Sequence, residues 1–233
     1  MELDETLKKF MDGFFGYGDL EAPIWFIGME EGGGNSLEEI NKRLETWKKL
    51  GETVTMDMYE FHREINDLKF FNGSNIARLQ PTWAKLIRFI LSHEKEVINI
   101  AKVRDFQITR LGRYKSKTCL LELMPLPSPS INQWIYNKIT KIPELQNRQI
   151  YKEVIAPRRI SKLKKLIKFH NVRKVVFYGK TYTNYWKQFL VDENLWKETE
   201  HFTHAEENRI QYWILPHPTA YGVTNKFYEQ IYA

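Results

Sequence analysis

The sequence predicts an α/β domain built on parallel strands, and three observations lead there. Four short apolar runs, over residues 24–27, 118–123, 174–178 and 211–215, each stop at turn-forming residues. Apolar runs of strand length with such boundaries mark strands buried on both faces. Between them lie longer stretches with apolar residues at helical spacing, and strands alternating with helices fold as a parallel sheet with right-handed crossovers. A chain of 233 residues, 42% of them hydrophobic, suffices for one well-buried domain and is short for two.

Each element has its own signature. Leu3, Leu7, Phe10, Met11 and Phe14 predict a helix over 3–15, with Gly16, Gly18 and Pro23 marking the connection to the first strand. That strand stops at Gly28 and runs into the acidic, glycine-rich loop GMEEGGG. Ser36 with Glu39 three residues on is a capping box, so a second helix starts there and continues through Ile40, Leu44 and Trp47 to near Gly51. Residues 52–80 read as an insertion with a short helix over 58–68 and a turn at Asn72-Gly73. Pro81 suits a first helical position, and Trp83, Leu86, Ile87, Ile90, Leu91, Val97 and Ile98 predict one long helical stripe.

Residues 102–117 are basic, with Lys102, Arg104, Arg110, Arg113, Lys115 and Lys117 against Asp105. The second strand follows and ends in the proline-rich loop MPLPSPS. Residues 143–169 predict one or two helices broken at Pro157, with Arg158, Arg159, Lys162, Lys164, Lys165 and Lys168 forming a solvated face. The third strand ends at Gly179, and a helix follows through Tyr182, Tyr185, Trp186 and Phe189. The last strand ends in PHPTAYG, and a final helix begins at Thr224. No repeat or linker interrupts the chain, so residues 1–233 are expected to form one domain.

Composition narrows the function classes. Lys and Arg number 35 against 29 Asp and Glu, for a net charge of +6, which favours a polyanionic partner, nucleic acid first. Cys119 is the lone cysteine, which rules out disulfides, cysteine-ligated zinc and iron–sulfur clusters; no cofactor or metal is expected. The acidic start does not read as a signal peptide, and no apolar stretch spans a bilayer. A soluble, cytoplasmic monomer with no membrane partner is the expectation.

In a parallel sheet the loops GMEEGGG, MPLPSPS, GKTYTN and PHPTAYG gather at the carboxyl edge, where ligands bind in open α/β folds. The first is no phosphate loop: no Gly-Lys-Ser/Thr follows the glycines, and Glu30 and Glu31 would repel a pyrophosphate. His217 stands between Pro216 and Pro218, which stiffen the backbone as a working imidazole requires.

Read together and in order, Gly28-Met29-Glu30-Glu31-Gly32, Glu122-Leu123-Met124-Pro125-Leu126 and His217-Pro218-Thr219-Ala220 resemble the motifs of the uracil-DNA glycosylase superfamily. The nearest branch is the single-strand-selective monofunctional one, whose strands end in Gly-Met-Asn-Pro-Gly, Asn-x-Cys-Pro-Leu and His-Pro-Ser-Pro. The resemblance implies a three-layer α/β/α sandwich with a central four-stranded parallel sheet and a base pocket across the strand ends. It also implies an enzyme that extrudes a damaged nucleotide and hydrolyses its N-glycosidic bond. By position, Glu30 would orient the attacking water and His217 would stabilise the departing base. Gly28, Met29, Glu31, Glu122 and Pro125 would contact substrate, and Tyr221 would wedge into the duplex. Arg110, Arg113, Lys115 and Lys180 are the expected phosphate contacts. The partner is DNA, single- or double-stranded, or a nucleoside or nucleotide.

Two departures bear on the substrate. Glu31 replaces the family's proline, and Glu122 replaces the asparagine that reads uracil. An ionised Glu122 accepts hydrogen bonds and donates none, so uracil is expected to be a poor substrate and a base with neighbouring N–H groups a better one. The alternative is a nucleic-acid- or nucleotide-binding module that keeps the fold and has lost hydrolysis.

Overall fold

The computed structural model describes residues 2–72, 77–130 and 132–231, so Gly73 of the expected turn lies outside the described residues. The strands are β1 (Gly16–Gly18), β2 (Ile24–Glu30), β3 (Thr55–Met56), β4 (Thr118–Met124), β5 (Lys174–Tyr178), β6 (Lys197–Glu198), β7 (Thr203–Glu207) and β8 (Ile210–Leu215). They form one eight-stranded sheet among the described residues, in the order β3-β1-β4-β2-β5-β8-β7-β6. The neighbours β4, β2, β5 and β8 pair in parallel, and these are the four apolar runs of the sequence. β1 and β7 pair antiparallel on their outer sides, and β3 and β6 extend the two edges.

The expected sheet of four is therefore corrected to a mixed sheet of eight with those four at its centre. The added strands are two to five residues long, too short to carry a readable alternation. β1 also looks like a turn in sequence because it is Gly-Tyr-Gly. Its glycine has another cause: a Cβ on Gly16 would lie 2.1 Å from the Leu120 carbonyl oxygen of β4.

The helices are α1 (Glu2–Gly13), α2 (Leu37–Lys49), α3 (Met58–Glu64), α4 (Pro81–His93), α5 (Ile100–Thr109), α6 (Tyr136–Ile139), α7 (Arg148–Phe169), α8 (Thr183–Trp186) and α9 (Asn225–Gln230). Successive strand residues face opposite sides of a sheet. On β2, Phe26 meets Phe89 of α4 at 5.8 Å between ring centroids, while Trp25 meets His170 at the end of α7 at 6.1 Å. Helices thus cover both faces, with α5 and α9 packed against α4.

Three helical expectations change. The stripe from Pro81 ends at His93, leaving Val97 67% exposed, and α5 is a separate helix that buries Val103 and Phe106 within the basic stretch. α7 runs unbroken through Pro157. An interior proline costs about 3 kcal/mol, but α7 buries Tyr151, Ile155 and Ala156 before it and Ile160, Leu163 and Ile167 after it. Arg159 is not solvated: it is buried, donates to the carbonyl oxygens of Leu123, Met11 and Glu122 at 2.6, 2.8 and 2.9 Å, and stacks 3.8 Å over Phe15. Its planar fork of donors fixes the carboxyl end of β4 to α7 and α1.

Candidate functional site

The register of the central strands sets a row of three residues near the carboxyl edge. Gly28 of β2 lies opposite Glu122 of β4, and Ile27 lies opposite Phe177 of β5, which brings Tyr178 to the other side of Gly28. A Cβ on Gly28 would fall 2.3 Å from the Tyr178 phenol oxygen and 2.4 Å from Glu122 Oε2. Only glycine leaves that space, and across it the Tyr178 hydroxyl donates to Glu122 Oε1 at 2.9 Å. Glu122 Oε2 is shut off from solvent and has no hydrogen-bond partner among the described residues.

Burial raises the pKa of Glu122 to about 8, with the Tyr178 hydrogen bond opposing and the charges of Glu31 and Glu30 adding to the rise. The carboxyl is then mostly in its acid form at neutral pH. The rise favours the acid form over the ionised, acceptor-only one expected from the sequence, and in the acid form the carboxyl has a proton to donate.

The two loop glutamates part company. Glu31 Oε2 accepts from the Tyr17 hydroxyl at 3.1 Å and from Arg43 Nη1 of α2 at 2.8 Å. Glu30 Oε1 pairs instead with Arg148 Nη2 at the start of α7, while Glu30 Oε2 is buried without a partner among the described residues. Burial raises the Glu30 pKa, and Arg148 and Lys152 pull against it. Arg148 also donates to Ser128 Oγ at 2.8 Å and to the Ser130 carbonyl at 2.6 Å, which ties the acidic loop to the proline-rich one.

The capping box holds the loop in a modified way. Ser36 Oγ accepts from Glu39 N–H at 3.2 Å as expected, but the Glu39 carboxylate reaches back to the N–H groups of Gly34 and Asn35 at 2.9 and 3.0 Å. Burial works against that carboxylate, yet these donors win and hold its pKa below the ordinary value.

His217 follows β8 and is half-buried. The Thr219 N–H donates to its Nδ1 at 3.2 Å, so the neutral ring carries its proton on Nε2. Burial, then the charge of Lys85, lowers its pKa and keeps the ring neutral at pH 7. Lys85 of α4 pins the same loop by donating to the carbonyls of Pro218 and Val223 at 2.5 and 2.7 Å. The His217 ring lies 5.7 Å from that of Tyr178, so a chain of contacts runs from Glu122 through Tyr178 to His217.

A cavity of about 360 Å³ opens over this row. Glu122, Tyr178 and Tyr17 line it from the sheet, Glu31 from the first loop, and His62 and Trp83 from the insertion and α4. Glu30 and His217 do not line it: Glu30 precedes the lining residue Glu31 and turns its side chain to Arg148, and His217 meets the cavity only through its ring contact with Tyr178. Met29 and Pro125 are buried at the strand ends. Tyr221 is fully exposed, and Lys180, just past β5, reaches toward the Glu200 carbonyl at 3.5 Å.

Arg110, Arg113 and Lys115 are not brought to this edge. They precede β4 and so lie at its amino end, opposite Glu122. Arg113 is bound to both Asp57 carboxylate oxygens at 2.7 and 3.0 Å, and Arg110 stacks 4.2 Å over Phe106. A larger cavity, about 970 Å³, also lies at the amino ends, of β5 and β8, between Lys168, Arg173 and Arg209, and holds none of the expected site residues. Among the described residues, no group of three or more His, Cys, Asp or Glu is placed to hold a metal, and no helix is long and apolar enough to cross a membrane.

Tyr178, Arg43, Arg148 and His62 are site residues that the sequence did not single out. Tyr178 had a usable signal, as the last residue of a strand before Gly179; the others depend on contacts between distant segments. No family model, curated protein or solved structure matches the chain.

Proposed function

We propose that the chain is a DNA glycosylase-like hydrolase that receives an extruded base in the cavity over Gly28 and cleaves its N-glycosidic bond. The observation that carries this reading is the row Glu122–Gly28–Tyr178, with a neutral His217 whose ring lies tilted 5.7 Å from that of Tyr178 at the same sheet edge. Gly28 leaves the room in which Tyr178 and Glu122 meet at the cavity wall. Glu122, in its acid form, donates to an acceptor on the base, so recognition is not restricted to uracil. Glu30 keeps Oε2 uncommitted and has a raised pKa, both of which suit a carboxylate that orients and deprotonates water. Glu31, held by Tyr17 and Arg43, is committed to the loop. His217 offers its Nε2–H to the negative charge that gathers on the departing base, as a neutral donor needing no prior protonation.

The test is a base-release assay over single- and double-stranded oligonucleotides carrying uracil, hypoxanthine and modified cytosines and adenines. A binding module without hydrolysis is the second reading, favoured by the Glu30–Arg148 ion pair, which neutralises the water-positioning carboxylate. Tight binding of one of these oligonucleotides with no base released would select it.

A further inference from the structure

His62, on α3 within the insertion, lines the same cavity and carries a second buried polar atom without a partner among the described residues. It is 6% exposed, and its Nδ1 lies 3.1 Å from the Asp67 carbonyl oxygen. A carbonyl can only accept, so Nδ1 carries the proton and Nε2 of the neutral ring is a bare acceptor. That Nε2 is buried and has no hydrogen-bond partner among the described residues. Aromatic rings enclose the imidazole, with Phe71, Phe61 and Trp83 at 5.1, 5.6 and 5.8 Å between centroids. They hold it in place and offer no substitute for the missing hydrogen bond. Burial also lowers the His62 pKa, which keeps the acceptor bare at neutral pH.

Buried polar atoms in folded proteins are nearly always paired, and an exception at a cavity wall points to a partner that arrives from outside. Here there are two at one cavity: Glu122 Oε2 from the sheet and His62 Nε2 from the insertion. We propose that His62 is a ligand-reading residue, its Nε2 accepting a hydrogen bond from an N–H group of an uncharged nitrogen heterocycle whose acceptor atom faces Glu122. Trp83, which touches the His62 ring edge-on and lines the cavity, supplies apolar surface for the flat face of such a ring. The inference takes only the ligand class from the proposed function, and its residue lies outside the motifs on which that function rests.

The test is nitrogen-15 NMR of the whole protein labelled at histidine, titrated with inosine and uridine and, in parallel, with 1-methylinosine and 3-methyluridine. His62→Gln identifies the His62 signals. The proposal expects the Nε2 resonance to move on addition of the nucleosides that keep the ring N–H, and the N-methylated ones to bind at least about tenfold more weakly. In His62→Ala that preference should disappear. An Nε2 resonance unmoved at saturation, equal binding of parent and methylated nucleosides, or no binding of either overturns it. Base release is not read in this experiment. Nucleoside binding through His62 without release from DNA upholds the inference and sinks the hydrolase reading, and release with an unmoved Nε2 does the reverse.

Discussion

Tyr178 donates a hydrogen bond to Glu122 at 2.9 Å across the space that Gly28 leaves empty between two neighbouring strands. That single contact joins β4 to β5 over the top of β2, fixes which Glu122 oxygen is free, and places the phenol ring beside His217. Gly28→Ala tests it. The added methyl would meet both the phenol and the carboxyl, and a forced shift in a packed site costs about 1–3 kcal/mol. Urea unfolding should show that loss, and the Tyr178–Glu122 bond should be broken in the variant's structure. Unchanged stability would mean the row is looser than described.

Glu122 makes stability depend on pH. Its folded pKa, about 8, lies above the 4.5 of an ordinary glutamate. The folded state therefore binds more protons in that window, and the contribution present below pH 4.5 is lost as pH rises to about 8. The slope from this one group is at most about 1.4 kcal/mol per pH unit. Glu122→Gln keeps an acceptor for Tyr178 and removes the titration. Unfolding free energies at pH 5, 6, 7 and 8 should fall more steeply for the wild type than for the variant; parallel curves would place the ionised form in the fold.

The Glu30–Arg148 pair is buried on both sides, with side chains 12% and 11% exposed. Breaking such a pair from one side leaves an uncompensated charge and costs about 3–5 kcal/mol, whereas removing both partners costs less. Arg148→Met should be the most damaging single change, and Arg148→Met with Glu30→Gln should recover part of the loss in a double-mutant cycle. Additive losses would show that Arg148 acts only through Ser128 and Ser130.

DNA binding, if it uses the carboxyl edge, should depend on Lys180 and not on Arg113. Each phosphate neutralised on a duplex contributes about −0.9 to the slope of log affinity against log salt. Lys180→Ala should flatten that slope by about one such increment. Arg113→Ala should leave the slope alone and lower stability, since Asp57 loses its charged partner and keeps only backbone donors. The opposite pattern would move the nucleic-acid face to the amino ends of the strands.

The parts of this architecture legible in sequence were those written locally. The four central strands are continuous apolar runs, and Ser36, Pro81 and Thr224 mark the starts of α2, α4 and α9 through capping chemistry or the tolerance of a first helical turn for proline. The outer strands were invisible because two to five residues carry no period. Pro157 misled because burial of α7 on both sides outweighs the local cost, and Arg159 because a basic run hides which member turns inward. At the site, Glu30, Glu122 and His217 were legible as residues at strand ends. Their states were not: the Glu122 proton, the His217 tautomer and the Arg148 pairing depend on segments far apart in the chain. His62 lies on a short helix that the sequence does indicate, but nothing local marks it as a site residue.

The central claim is that this strand edge hydrolyses an N-glycosidic bond, and single-turnover base release at neutral pH over the oligonucleotide panel tests it most directly. The account predicts release of at least one modified base by the wild type. Glu30→Gln should slow that release by about 10²–10⁴-fold, as expected when a general base is lost, with DNA affinity little changed. No release from any oligonucleotide by the folded wild type, or equal rates in Glu30→Gln, would contradict it.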